Sequence, residues 1–135
     1  MRKTIFFVVA ILIVLVSIYA YMTYNKKHED ALKLSPDFKL TAVDLFDQYA
    51  EDEDRANERY LGKLLEVEGS ISEIEKDETS LKIYLFTGDE ISAIQCDFEQ
   101  NPNIDNLEVG RPVTVRGFCS GKLLDIVLNR CAIIE

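Results

Sequence analysis

The N-terminal part of the chain is dominated by one apolar run. Residues 5–22 contain no charged side chain and are rich in Ile, Val, Leu and Phe. A helix of these 18 residues, rising ~1.5 Å per residue, reaches roughly 27 Å, which is close to the hydrocarbon thickness of a bilayer. The pattern therefore predicts a transmembrane helix within residues 1–24, with the lipid bilayer as the partner of residues 5–24.

The flanks of this run support a membrane anchor, although other interpretations stay open. Basic pairs stand on both sides and tyrosines near the far end: Arg2, Lys3, Lys26, Lys27, Tyr19, Tyr21 and Tyr24. Aromatic rings there favour the headgroup layer. A cleaved signal peptide needs a shorter apolar region and a small-x-small exit site, whereas Ala20 follows Ile18. A lipid-anchored form needs a cysteine just after the run, and the sequence has none there. A buried core helix is the remaining alternative.

The next segment changes from a polar linker to a helical pattern. Residues 25–39 are largely polar and are predicted to tether the apolar helix to a domain at residues 40–135. Within residues 40–60, apolar side chains between Val43 and Ala50 recur at helical spacing. Thr41 is suited to the N-cap position. The pattern predicts one α-helix in residues 40–60.

After Gly62 the period changes to the two-residue alternation of β-strands. Five strands are predicted: residues 65–71, 81–86, 91–98, 112–118 and 123–134. A connector at residues 101–107 separates the third from the fourth, and Ser120-Gly121 is predicted to turn the chain into the fifth. Five short strands with this break favour an OB-fold-like barrel over a β-sandwich, which usually has about seven strands. The fold class is therefore mostly β: a five-stranded OB-fold-like barrel preceded by one α-helix, plus the transmembrane helix.

Charge narrows the classes of partner. From Pro36 onward there are 10 Lys and Arg against 22 Asp and Glu, a net charge near −12. Proteins that bind phosphate backbones gain affinity by releasing counterions against Lys and Arg. Nucleic acid is therefore an unlikely partner, although a local basic groove would still allow it.

Candidate chemistry does not indicate an enzyme. The only histidine, His28, lies outside the predicted domain, so a Cys–His nucleophile pair is excluded. The glycines are scattered, which argues against a phosphate-cradling loop, and no C-x-x-C pair or zinc-ligand spacing occurs. We expect no catalytic residues, no metal and no cofactor.

The outward row of the second predicted strand is the one indication of a binding site. Lys82, Tyr84 and Phe86 alternate with the inward residues of that strand. OB barrels bind ligands mainly across their second and third strands, where aromatic rings can stack on a base or a sugar. The alternative is that these side chains pack against cross-strand neighbours.

Several spacings in the domain are similar to those of a known family. They are Ala56-Asn57, Tyr60, Gly62-Lys63, Val67-x-Gly69, Cys96-x-Phe98, Gly110-x-x-Val113-x-Val115-x-Gly117-x-Cys119-x-Gly121 and Leu124-Asp125-x-Val127-Leu128-x-x-Cys131. Over residues 40–134 the chain resembles the tRNA_anti-like family, small bacterial OB-fold domains often found behind a signal or anchor segment. The resemblance implies an OB fold and export, with no assigned substrate and no catalytic residues. It also favours a single-pass protein with its domain on the outer face of the cytoplasmic membrane.

The three cysteines allow one bridge. In an OB barrel the third and fifth strands run parallel as neighbours, so the ends that carry Cys96 and Cys131 meet. Cys119 ends the fourth strand and lies at the other end of the fifth. If a disulfide forms, we expect Cys96–Cys131; three buried thiols are the alternative.

These observations favour a membrane-anchored OB-fold binding or interaction module that engages a protein or a small ligand. A single-stranded nucleic-acid-binding domain is one alternative. The other is a structural subunit of a membrane complex, although small residues that could form a helix-packing face are few in the apolar run.

Overall fold

The alternating segments of the sequence fold into strands around one apolar core. The computed structural model describes residues 1–24, 31–99, 102 and 104–134, apart from the side chains of residues 2–8 and 22–24. In chain order the elements are α1 (Arg2–Tyr24), β1 (Phe38–Thr41), α2 (Ala42–Glu51), α3 (Glu53–Tyr60), β2 (Leu64–Lys76), β3 (Leu81–Phe86), β4 (Ala93–Phe98), β5 (Pro112–Lys122) and β6 (Ile126–Ile134).

Five strands close into a barrel. The strand order is β1-β2-β3-β4-β6-β5, and β2 also pairs with β5. The first part of β2 is antiparallel to β5, with Leu64 opposite Phe118, while its last part is antiparallel to β3. β4 and β6 run parallel. This connectivity is that of the OB fold, so the predicted five-stranded barrel is confirmed.

The predicted faces of the strands are confirmed, but several boundaries differ: β2 continues to Lys76 and β4 starts at Ala93, where strands at residues 65–71 and 91–98 were predicted. On β3, Leu81, Ile83 and Leu85 are fully buried, while the residues between them face outward. The predicted turn at Ser120-Gly121 is wrong, because β5 continues through an irregularity at this point to Lys122. The turn instead comprises residues 123–125, and β6 starts three residues later than predicted.

The predicted single helix at residues 40–60 needs correction, because this segment contains the end of a short strand and two helices. β1 pairs in parallel with β2, Phe38 lying opposite Leu65. Thr41 caps α2 as predicted, since its hydroxyl accepts a hydrogen bond from the amide of Asp44 at 3.1 Å. Asp52 then separates the helices: its backbone is extended, and its carboxylate accepts a bond from the Arg55 amide at 3.1 Å.

Two tyrosines join α2 and α3 to the barrel. Tyr49 and Tyr60 are both fully buried. The Tyr49 hydroxyl donates to the Asn57 side chain at 3.1 Å, and the Tyr60 hydroxyl donates to Gln48. The ring of Tyr60 also meets that of Phe38 edge to face, with centroids 5.1 Å apart. The helix pair therefore shares the core of the barrel.

α1 is the element on which a membrane anchor was predicted. Across the part of the chain that the structure describes, no helix combines the length and the hydropathy that a membrane crossing requires. Residues 25–30 of the predicted tether, with Lys26 and Lys27, lie outside the described residues.

The described part of the predicted tether, residues 31–37, and β1 lie against the barrel. Arg116 of β5 donates to the carbonyl oxygens of Leu34 at 2.8 Å and Ala31 at 3.4 Å. Its other guanidinium nitrogens bind the carboxylate of Glu66, which also pairs with Lys39 at 3.0 Å. The side chains of Arg116 and Glu66 are only 14% and 13% exposed. The Arg116–Glu66 pair thus attaches the segment before β1 to the barrel.

The Arg116–Glu66 pair predicts a pH-dependent stability. Hydrogen bonds from Arg116, and then from Lys39, lower the pKa of Glu66 below its usual 4.5. Its contribution is therefore complete above pH 4.5 and is lost as the pH falls through the lowered pKa. At pH 7 we expect Glu66→Gln to reduce the free energy of unfolding by about 2 kcal/mol, measured by urea denaturation, and this loss to shrink near pH 3.

Glu68→Gln is the matched control, because Glu68 lies on the same strand and is exposed. We expect it to change the free energy of unfolding by less than about 0.5 kcal/mol at either pH. An equal loss for Glu66→Gln at both pH values would contradict the ion pair's role.

Candidate functional site

The predicted ligand-binding residues lie together on the outer face of β3. This β3–β4 face consists of the outward side chains of two paired strands: Lys82, Tyr84, Phe86, Ala93, Gln95 and Asp97. Across the strands Lys82 pairs with Asp97, and Tyr84 with Gln95. The alternation that predicted the outward row therefore placed it correctly, on the strands where OB barrels bind.

Tyr84 and Phe86 differ in whether a ligand could contact their side chains. The Tyr84 hydroxyl donates to the carboxylate of Glu75 at 3.0 Å. Burial, followed by the hydrogen bond and charge of Glu75, raises the pKa of Tyr84 to about 12, so the phenol stays neutral near pH 7. Tyr84 is thus held against β2, as the packing alternative supposed. Phe86 remains 48% exposed and can contact a partner.

The surroundings of the β3–β4 face are acidic. Glu73 and Glu75 of β2 lie opposite Tyr84 and Lys82, and Asp97 flanks Lys82 on the other side. The Asp97 carboxylate accepts a hydrogen bond from the side-chain Nε2 of Gln95 at 2.9 Å. Lys82 therefore stands between two carboxylates, and the face as a whole disfavours anionic ligands.

Two hydrogen-bonded loops meet at the end of this face where β3 ends. The Asp125 carboxylate, from the β5–β6 turn, accepts a bond from the Ala93 amide at 2.8 Å. Within the β3–β4 loop, Asp89 accepts from the amide of Ser92 at 2.9 Å, and the buried Thr87 hydroxyl donates to the Ser92 carbonyl at 2.6 Å. These bonds fix the two loops beside each other.

Four large apolar side chains project from this end of the barrel. Phe86, Ile91, Leu123 and Leu124 are 48%, 79%, 88% and 70% exposed; we call them the apolar lip. The sequence pattern did not reveal the lip, because Ile91 fits the third predicted strand and both leucines fit the fifth. A signal was present, since Gly88-Asp89 and Asp125 are residues that favour turns.

A cleft at the opposite end of the barrel has mixed charge. Its volume is about 270 Å³, and it is lined by Asp97, Phe98, Glu99, Asn129 and Arg130. The guanidinium of Arg130 lies 4.3 Å from the centre of the Phe118 ring. With two carboxylates against one arginine, the cleft is not a phosphate pocket.

A bulge in β6 brings two cysteines together. Arg130 has φ 52°, and here two residues, Arg130 and Cys131, oppose the single residue Gly117. The bulge turns Cys131 toward the interior, where a Cβ added at Gly117 would lie 2.5 Å from its Sγ. Burial, then a hydrogen bond with Cys96, raises the pKa of the Cys131 thiol well above its usual value.

Cys96 and Cys131 are the two thiols of the predicted bridge. All three cysteines are free thiols in the structure, so the bridge itself stays a prediction. Cys119 lies apart, with its Sγ 3.4 Å from the Tyr49 hydroxyl.

The thiol pair yields a direct test. With oxidised glutathione as the oxidant, the two thiols lose two electrons and two protons, and glutathione disulfide is reduced to two thiols. We expect wild type and Cys119→Ser each to lose two thiols, measured by maleimide labelling in denaturant, and Cys131→Ser to form no internal bridge. Full labelling of all three cysteines after oxidation, or a bridge to Cys119, would refute the pairing.

Metal ligation has no counterpart in the described residues. Among them, no group of three or more His, Cys, Asp or Glu side chains is arranged to hold a metal ion. Tyr84 and Cys131 owe their raised pKa values first to burial.

Comparisons with known proteins agree with the fold. The tRNA_anti-like family matches residues 1–133, while no curated protein matches the chain. Among solved structures, one from Klebsiella pneumoniae subsp. pneumoniae MGH 78578 is similar, with 15% sequence identity and a TM-score of 0.59. The match covers 82% of this chain and 100% of that protein, which is provisionally described as a nucleic acid-binding lipoprotein. At this identity the likeness shows the fold alone.

Proposed function

Because this chain belongs to the tRNA_anti-like family, we propose that it is a non-catalytic OB-fold module, anchored in a membrane, that binds a protein or small ligand on its β3–β4 face. One observation supports the proposal. The β3–β4 face lies on the strands that OB barrels use for binding, and it carries the exposed Phe86 beside a row of carboxylates. Proximity of aromatic and charged groups suits recognition of polar or cationic groups.

The basic side chains of the domain argue against a phosphate-binding surface. Of the 10 between Lys39 and Arg130, five already contact a carboxylate or an aromatic ring: Lys39, Arg59, Arg116, Lys122 and Arg130. The remaining ones lie among 20 acidic residues in the same part of the chain. Counterion release, the main source of affinity for single strands, is correspondingly weak.

A single-stranded nucleic-acid-binding domain is the second candidate. The observation that favours it is the similar Klebsiella protein, whose description includes nucleic acid binding. The rings of Tyr84 and Phe86 supply stacking surfaces of the kind such domains use. The charge of the β3–β4 face makes this candidate the weaker one.

A membrane anchor is the other part of the proposal. It is supported by the 18 uncharged residues at positions 5–22, long enough to span a bilayer. The side chains of residues 9–21 are all exposed in the isolated chain, so this part of α1 does not contribute to the core of the domain. Members of the family are often exported, which favours a location of the domain on the outer face of the cytoplasmic membrane.

The anchor predicts the mass and the partitioning of the mature protein. We expect the protein to be extracted from membranes only by detergent, with an intact mass that includes residues 1–24. Val14→Asp with Leu15→Asp should release it, because each central charge costs about 2.5–3.5 kcal/mol on insertion; Val14→Ala with Leu15→Ala should not. A mature protein shorter by the apolar segment would refute the anchor.

Titration with single-stranded oligonucleotides separates the two candidate functions. We expect the detergent-solubilised chain to bind mixed-sequence DNA and RNA more weakly than about 1 μM at ~150 mM salt, measured by fluorescence anisotropy. Tighter binding that is weakened by Tyr84→Ala with Phe86→Ala would overturn the proposal and establish the second candidate. Glu68→Gln, on the outside of β2, serves as the control variant.

A further inference from the structure

The apolar lip is unusual for a solvent-facing loop pair. Turns are normally built from Gly, Asn, Asp, Ser and Pro, yet the β5–β6 turn presents two consecutive leucines, Leu123 and Leu124, that are 88% and 70% exposed. Ile91 of the neighbouring loop is 79% exposed. Clustered exposed apolar side chains of this kind mark interaction surfaces on soluble domains.

The loops that carry the lip are held in place before any partner binds. The bond from the Ala93 amide to Asp125 joins the two loops, and Asp89 accepts bonds from the amides of both Ile91 and Ser92. A surface that is already ordered loses little conformational entropy on association. The lip is therefore suited to docking rather than to folding around a ligand.

Carboxylates surround the lip. Asp89 and the exposed Glu90 lie in the same loop as Ile91, and Asp125 follows the two leucines. A partner that covers the lip must therefore place its own charges close to a concentrated negative field.

The negative charge around the lip disfavours partners that are themselves negatively charged. A bilayer surface containing acidic lipids, a single-stranded nucleic acid and a second copy of this chain, whose net charge is −9, would each bring negative charge against these carboxylates. A partner that buries its apolar groups on the lip and carries positive charge satisfies both features.

We propose that the apolar lip docks a basic segment of a partner protein, in which apolar side chains are flanked by lysine or arginine. The apolar side chains cover Leu123, Leu124 and Ile91, and the flanking cations face Glu90 and Asp125. The inference rests on the proposed binding function, whose partner class and point of contact it specifies.

Site-specific photo-crosslinking in the membrane-embedded full chain tests the inference. The photo-reactive residue p-benzoylphenylalanine replaces Leu124 in the lip, Lys82 in the middle of the β3–β4 face, or Val109 in the connector at the opposite end of the barrel. We expect irradiation of the Leu124 probe to give a discrete protein adduct whose attached peptide, identified by mass spectrometry, contains apolar residues flanked by lysine or arginine. We expect the Val109 probe to give none.

Charge reversal then distinguishes local from overall electrostatics. We expect Glu90→Lys to lower the yield of the Leu124 adduct at least fivefold. Glu108→Lys makes the same change in charge on an exposed residue near the other end of the barrel, and we expect it to leave the yield within twofold. Equal losses from both variants would show that overall charge, rather than the lip, attracts the partner, and would overturn the proposal.

The remaining outcomes are equally decisive. An adduct of the Leu124 probe with lipid, with nucleic acid, with a second copy of the chain or with an acidic or uncharged peptide overturns the inference. An adduct at Lys82 alone leaves the proposed binding function standing and refutes the lip as its docking surface. Absence of an adduct at both positions refutes both.

Discussion

Closure of the barrel depends on one long strand. β2 comprises 13 residues and hydrogen-bonds β5 through its first part and β3 through its last part. The register between β2 and β3 shifts between Ile71 and Glu73, so the strand changes partner at an irregularity, where bulged strands bend. Without this change the sheet would have two free edges, and the interior of Val67, Ile83 and Leu128 would open to water.

The same strand also receives the segment that precedes the barrel. β1 adds a parallel edge to the first part of β2, and Glu66 of β2 holds both Lys39 and Arg116. One carboxylate thus joins three strands and the segment before them. Charges are distributed unevenly over the domain. Most of the paired cations lie around β2 and the helices, whereas carboxylates outnumber cations on the β3–β4 face and around the apolar lip. The proposed binding surfaces therefore lie where carboxylates outnumber cations.

The sequence predicted those features of the fold that repeat over several residues. Alternation in β3 and β5 located the core and the outward row with Tyr84 and Phe86, because a half-buried strand imposes a period of two. β1 has only four residues, too few for a period to stand out, and its partner is distant in sequence. Asp52 divides the helix without a change in apolar spacing. The bulge at Arg130 turns Cys131 toward the interior, and no local sequence pattern indicates a bulge at this position. The lip could not be predicted from the sequence, because the hydrophobic pattern does not distinguish an exposed leucine from a buried one.

The hydrogen bonds from Arg116 to residues 31–34 limit how far the domain can lie from the end of α1. Only six residues separate the end of α1 at Tyr24 from Ala31, and an extended chain covers at most about 3.5 Å per residue, so the attached domain stays within roughly 25 Å of the helix end. If the segment were released up to Phe38, the limit would about double, and the accessible volume would grow roughly eightfold. If the chain is anchored as proposed and a partner within this reach is fixed in the same membrane, attachment would raise the effective concentration of one protein around the other by a similar factor. The hydrogen bonds of one guanidinium, that of Arg116, would then set the distance over which the domain can search for such a partner.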